Sequence, residues 1–116
     1  MEFDDYQEQA ETTAVYPEFG TGSKLALAHD TLGLAGESGE VCERVKKWIR
    51  GDFGECDILP EEVKAVIKKE VGDIMWHLAL LCSELKISLN DAACENIQKL
   101  ASRQKRGTLL GDGDDR

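Results

Sequence analysis

Aromatic side chains make up only 6% of this 116-residue chain, and it has two prolines and two histidines. No segment alternates apolar and polar residues with period two, so nothing supports a β-sandwich or barrel, and helices are expected instead. Long apolar runs are also missing. The longest, around Ile74 to Cys82, is interrupted by His77 and is too short to cross a bilayer. The start, Met1-Glu2-Phe3-Asp4-Asp5, has neither the basic region nor the apolar run of a signal peptide. Positive charge is scarce, with 14 Lys and Arg against 23 Asp and Glu and a net charge of −9. That sign argues against duplex nucleic acid as a partner, because phosphate contacts dominate such binding. Cys42, Cys56, Cys82 and Cys94 lack C-x-x-C spacing and three of them fall in helical patterns, so buried free thiols in a reducing cytoplasm are expected.

What remains is an ordinary soluble balance, 41% hydrophobic and 32% charged. The length suits one domain over residues 1–116, burying roughly two thirds of the unfolded chain's surface. Residues 1–22 form an acidic N-terminal segment with Phe3, Tyr6 and Ala10 at helical spacing, which predicts a short helix. Ser23 is a credible N-cap for a second helix from Lys24 to about Ile49, although Gly33, Gly36 and Gly39 weaken its middle. Gly51 to Leu59 reads as a loop. Pro60 opens a third helix running to about Leu85. Ser88 followed by Asp91 resembles a capping box for a fourth helix that ends near Arg106, before Gly107. Residues 107–116 are an acidic Gly/Asp tail without helical period. The predicted class is all-α: a four-helix-bundle-like protomer with two long antiparallel helices and two shorter ones.

Carboxylates occupy positions where apolar residues belong. Glu37 falls on the stripe Leu27, Leu34, Val41, Val45, Trp48, and Glu40 lies three residues on, its Cβ about 5–6 Å away on a neighbouring row. In the third helix Glu70 falls on the stripe Val63, Ile67, Ile74, Leu78, Leu81, Leu85, with Asp73 again three residues on. Counted from Glu55 in the loop, the two pairs lie equally far back and forward, so antiparallel helices bring them face to face. Four half-buried carboxylates repel and lose hydration. Protonation relieves this, and so does a hard divalent cation such as Mg²⁺, which prefers all-oxygen ligands. The plain alternative is a pair of solvated helix faces with Lys46, Lys47 and Lys69 as partners.

Gly36-Glu37-Ser38-Gly39-Glu40, followed after a loop by Glu70-Val71-Gly72-Asp73, resembles the E-x-x-E … E-x-x-D signature of the MazG-like, all-α nucleoside triphosphate pyrophosphohydrolases. Leu32-Gly33-Leu34-Ala35 before the first half and Ile74-Met75-Trp76 after the second extend the likeness, which covers roughly residues 24–113. Two departures stand out: Gly36 occupies a position where the family often has a further Glu, and the gap between the halves is slightly long. The resemblance implies cleavage of a nucleoside triphosphate to a monophosphate and pyrophosphate, with Glu37, Glu40, Glu70 and Asp73 as catalytic ligands of Mg²⁺ and Mn²⁺ able to substitute. It also implies a role for Lys99 and Arg103 on phosphate. These two share one face of the fourth helix with Asn96, and a solvated helix end is the plain reading of that face. Lys47 is a further candidate. His77 follows Asp73 by four residues and is a candidate for the base pocket, with Trp76 beside it; core packing of Trp76 and a half-surface His77 are the plain readings, as are core packing and exposure for Trp48 and His29.

For the tail Gly111-Asp112-Gly113-Asp114-Asp115-Arg116 a flexible acidic end stands against a part in closing the site. Family members are dimers or dimers of dimers, which implies a homo-oligomer here, a tetramer or a dimer, with the nucleotide site near a subunit interface. Other classes stay open: a phosphoribosyl-ATP pyrophosphatase-like enzyme, and a non-enzymatic helical interaction module. A ferritin-like di-iron bundle needs Glu-x-x-His pairs, and neither His29 nor His77 follows a Glu at that spacing.

Overall fold

A computed structural model describes residues 1–116 as four helices and no strand: α1 Phe3–Glu11, α2 Lys24–Ile49, α3 Glu61–Leu85 and α4 Leu89–Arg106. The caps explain these limits. Ser23 Oγ accepts the Ala26 N–H at 3.2 Å, and Ser88 Oγ accepts the Asp91 N–H at 3.1 Å. The return bond of the expected capping box is not formed; the Ser88 hydroxyl donates to Asp4 Oδ1 at 2.9 Å instead, tying α4 to α1. Lys86 and Gly107 end α3 and α4 in the left-handed region, at φ 57° and 69°.

α2 and α3 pack antiparallel, joined by the loop 50–60, where the Trp48 indole N–H donates to the Cys56 carbonyl at 3.1 Å. α1 lies across α3 and the start of α4. Gln7 holds that corner: its Nε2 donates to Ser83 Oγ and to the Ile87 carbonyl, each at 3.0 Å, and its Oε1 accepts the Leu89 N–H at 2.8 Å. α2 packs against no helix but α3. The protomer is correspondingly open. Its radius of gyration is 17.4 Å, whereas a compact domain of this length measures about 13 Å.

Burial departs from the sequence expectation in an instructive way. Leu78 and Leu85, placed on the inward stripe of α3, are 36% and 49% exposed, and the α2 stripe is only half-buried. The inward face of the second half of α3 carries His77, Leu80 and Glu84 instead. Polar residues fit there because the 12–22 segment folds over them and brings hydrogen-bond groups. The Tyr16 hydroxyl lies 2.8 Å from both Asp30 Oδ2 and Glu84 Oε1, and the Gly20 and Gly22 N–H groups donate to Glu84 at 2.7 and 2.8 Å. Gly22 adopts φ 64°, and a Cβ there would sit 3.0 Å from the Glu84 carbonyl oxygen.

Asp30 is fully buried and Glu84 is 5% exposed. Burial pushes the Glu84 carboxyl up, but the bonds from Gly20, Gly22 and Tyr16 outweigh it and hold it below its ordinary value. A carboxyl below its unfolded value adds stability at neutral pH that is lost as pH falls through the acidic range. Burial, then the bonds to Asp30 and Glu84, push the Tyr16 hydroxyl upward, so it stays protonated.

The cysteines are free, but the expectation of buried thiols is corrected. Cys42, Cys56 and Cys94 are exposed and Cys82 is half-buried, because this open protomer covers little of its helix surfaces. The tail folds back on α4, where Arg103 Nη2 donates to the Asp114 carbonyl and Arg106 Nη2 to the Arg116 carbonyl.

A carboxylate-lined cleft between α2 and α3

The register of the α2–α3 pair is set where the two backbones come together around one ring. His77 lies over Gly33, and a Cβ at residue 33 would fall 2.1 Å from His77 Cε1. Gly33 is therefore a packing glycine in an unbroken helix; Gly36 and Gly39 face open space. One turn further along α2, Glu37 meets Glu70 and Asp73 of α3. Each of these three offers a carboxylate oxygen, and the three atoms lie within 4.8 Å of one another. Desolvation, then the charges of Asp73 and Glu70, push the Glu37 carboxyl above its ordinary value, partly offset by His77. Glu40 does not join the group. It sits on the neighbouring row of α2 and is exposed.

An open cleft of about 650 Å³ adjoins the carboxylates, lined by Glu37, Asp73 and Gly72 together with Tyr6, Thr13, Trp76 and His77. His77 thus reaches both the cleft and the buried network, and is more buried than expected, at 8% exposure. Trp76 is half-buried, its indole N–H donating to Thr13 Oγ1 at 2.7 Å. The Tyr6 hydroxyl donates to the Gly72 carbonyl at 3.4 Å. Tyr6 and Thr13 escaped the sequence reasoning. The amphipathic spacing of Phe3, Tyr6 and Ala10 was the available signal, but it says nothing of which helix α1 will cross.

The expected cationic residues are elsewhere within the chain. Lys47 Nζ lies 3.7 Å from Glu43 Oε1. Asn96 and Lys99 line a separate depression with Ala92 and Glu95. Arg103 is buried under the tail, and Lys99 Nζ and Arg103 Nη2 lie 3.1 and 3.3 Å from Asp114 Oδ1, which holds the Asp114 carboxyl below its ordinary value. Neither cation lines the carboxylate cleft of its own protomer.

Residues 28–108 match the family model of the MazG nucleotide pyrophosphohydrolase domain. The chain belongs to the MazG family. A relative, the Gene 37 protein of Mycobacterium phage L5, is 38% identical over 117 residues, an alignment that spans 100% of both chains. No solved structure matches this chain. In this MazG chain the matched region contains the carboxylates of both helices and the cations of α4, whereas Tyr6 and Thr13 of the cleft precede it.

The donor set of this MazG domain suits a hard dication: three carboxylate oxygens, with the Glu37 carboxyl already pushed up by desolvation and then by its neighbours' charges. Oxygens sharing one Mg²⁺ lie at most about 4.2 Å apart, so small side-chain movements gather the group. Replacing Glu70 with Gln removes a repelling charge and keeps the shape. In chelator at pH 7 the variant should melt about 2–3 °C higher than wild type, for roughly 0.5 kcal/mol of relieved repulsion, and gain much less from Mg²⁺. A lower melting point with undiminished gain from Mg²⁺ would make Glu70 a structural ion-pair partner.

Proposed function

We propose that this MazG protein is a Mg²⁺-dependent nucleoside triphosphate pyrophosphohydrolase that converts a (d)NTP and water to the (d)NMP and pyrophosphate. The observation carrying this proposal is the meeting of Glu37, Glu70 and Asp73 oxygens within 4.8 Å beside a cleft of nucleotide-compatible size. Bound there, Mg²⁺ or Mn²⁺ would neutralise phosphate charge and lower the pKa of the attacking water. Glu37, Glu70 and Asp73 would hold the ion, with Glu40 on the adjoining row as the remaining candidate ligand, and one of these carboxylates would take the proton from water. Tyr6, Trp76 and His77 supply flat groups for the base. Cytoplasmic nucleotide-pool house-cleaning is the role that suits such a reaction.

Phosphate binding by Asn96, Lys99 and Arg103, with Lys47 as a further candidate, needs a second subunit. The proposed state is therefore a homo-oligomer, a tetramer or a dimer, with the nucleotide near the interface. An α2 that packs on a single helix, exposed Leu25, Leu32, Leu78 and Leu85, and the large radius of gyration all support it. Light scattering at micromolar concentration should give a multiple of 12.8 kDa; a monomer would contradict this.

Incubation with the common nucleotides, and with phosphoribosyl-ATP as a comparison, tests the activity. Monophosphate and pyrophosphate should form in equal amounts and only with Mg²⁺ or Mn²⁺. Orthophosphate with a diphosphate product would mean a different bond is cleaved. No turnover of any substrate would favour the helical interaction module.

A further inference from the structure

The only two histidines of the chain meet. His29 Nδ1 lies 3.2 Å from Asp30 Oδ1, and His77 Nδ1 lies 3.6 Å from the same oxygen. One ring nitrogen of each histidine and a carboxylate oxygen of Asp30 fall within 4.8 Å of one another. The cluster lies on the far side of the Gly33–His77 contact from the carboxylate group and has different chemistry, with two imidazoles and one carboxylate.

Three observations point to a ligand. His77 is 8% exposed, yet its Nδ1 has no hydrogen-bond partner, and that atom lies on the Asp30 side of the ring, 3.6 Å from Oδ1. Asp30 is fully buried, and neither Lys nor Arg pairs with it. Its neighbour Glu84 is also buried, and the single proton of the Tyr16 hydroxyl can serve only one of the two carboxylates at a time. A metal dication would neutralise this excess of buried negative charge. The separations fit as well. Tetrahedral ligands at about 2.0–2.1 Å from Zn²⁺ stand about 3.3–3.4 Å apart, between the two observed distances.

The surroundings resemble those of a ligand set. Asp30 Oδ2 lies 2.8 Å from the Tyr16 hydroxyl, which orients the carboxylate with Oδ1 turned to the histidines. The His29 ring stacks on Tyr16, with ring centroids 4.0 Å apart and planes 15° apart. The His29 side chain is 37% exposed, leaving an entry path and room for water as fourth ligand.

We propose that His29, Asp30 and His77 form a second metal site, for a transition-metal dication of the Zn²⁺ class, bound through His29 Nδ1, Asp30 Oδ1 and His77 Nδ1. On binding, the His29 ring keeps its single proton on Nε2 and leaves Nδ1 free for the ion. The ion then links α2 to α3, and through Tyr16 to the 12–22 segment, beside the cleft.

Metal-free full-length protein is titrated with Co²⁺ in excess Mg²⁺, which keeps the carboxylate group filled, and then with Zn²⁺. One equivalent of Co²⁺ should give the visible d–d absorption of a four-coordinate site without thiolate charge transfer, and one equivalent of Zn²⁺ should abolish it. His29→Ala should weaken Zn²⁺ binding at least tenfold. Glu70→Gln should leave it unchanged. His29→Cys, which keeps a ligand, should add thiolate-to-cobalt charge transfer to a retained d–d band. This signature guards against loss of fold in the alanine variant. Absence of the band in wild type, thiolate charge transfer in wild type, equal Zn²⁺ affinity in His29→Ala, or loss of binding in Glu70→Gln would each overturn the proposal.

Discussion

The contact on which the rest of this protein depends is the Tyr16 hydroxyl set between two buried carboxylates, Asp30 of α2 and Glu84 of α3. It fixes the 12–22 segment against both long helices at once. Two loop N–H groups complete Glu84, so the buried charge is matched by donors from glycine backbone. Removing a donor from such a group costs about 1–3 kcal/mol, a large share of a small domain's stability. From this anchor the helix register follows outward: Asp30 near His77, Gly33 beneath the His77 ring, then Glu37 opposite Glu70 and Asp73. The geometry of the carboxylate group is thus held by a polar contact rather than by a large apolar core.

That core is small, with only 10 of 116 residues buried, four of them polar or charged. A helix pair carrying repelling carboxylates at its centre gives up apolar contact there. In the proposed function, relief for both deficits would come from outside the chain. A dication would offset the repulsion, and a second subunit would cover the leucines left open on α2 and α3. Binding and assembly would then be stabilising terms of the fold as well as requirements of the proposed activity.

The helices were legible in the sequence because their signals are local. Ser23, Pro60, Ser88 and Gly107 act within one turn, and the observed limits lie at those residues. The carboxylate pairs were legible because two helices joined by one short loop leave little freedom of register. Glu40, exposed on the neighbouring row, lies outside the group of Glu37, Glu70 and Asp73. The inward face of α3 was misread for a different reason. An apolar stripe through Leu78 and Leu85 competes with a polar one through His77 and Glu84, and the choice is made by Tyr16, Gly20 and Gly22, remote in sequence. Hydrophobic periodicity holds no information about such donors. The docking of Asp114 on Lys99 and Arg103 is likewise a tertiary outcome, although the charges that make it were visible.

The central claim is that the α2–α3 carboxylates form one divalent-cation site serving nucleotide chemistry. Its most direct test is a Mn²⁺ titration of the full chain followed by electron paramagnetic resonance, comparing wild type with Glu37→Gln. Wild type should remove the free Mn²⁺ signal at micromolar concentration, and Glu37→Gln should weaken that binding at least tenfold. Equal Mn²⁺ affinity in the two proteins would contradict the claim.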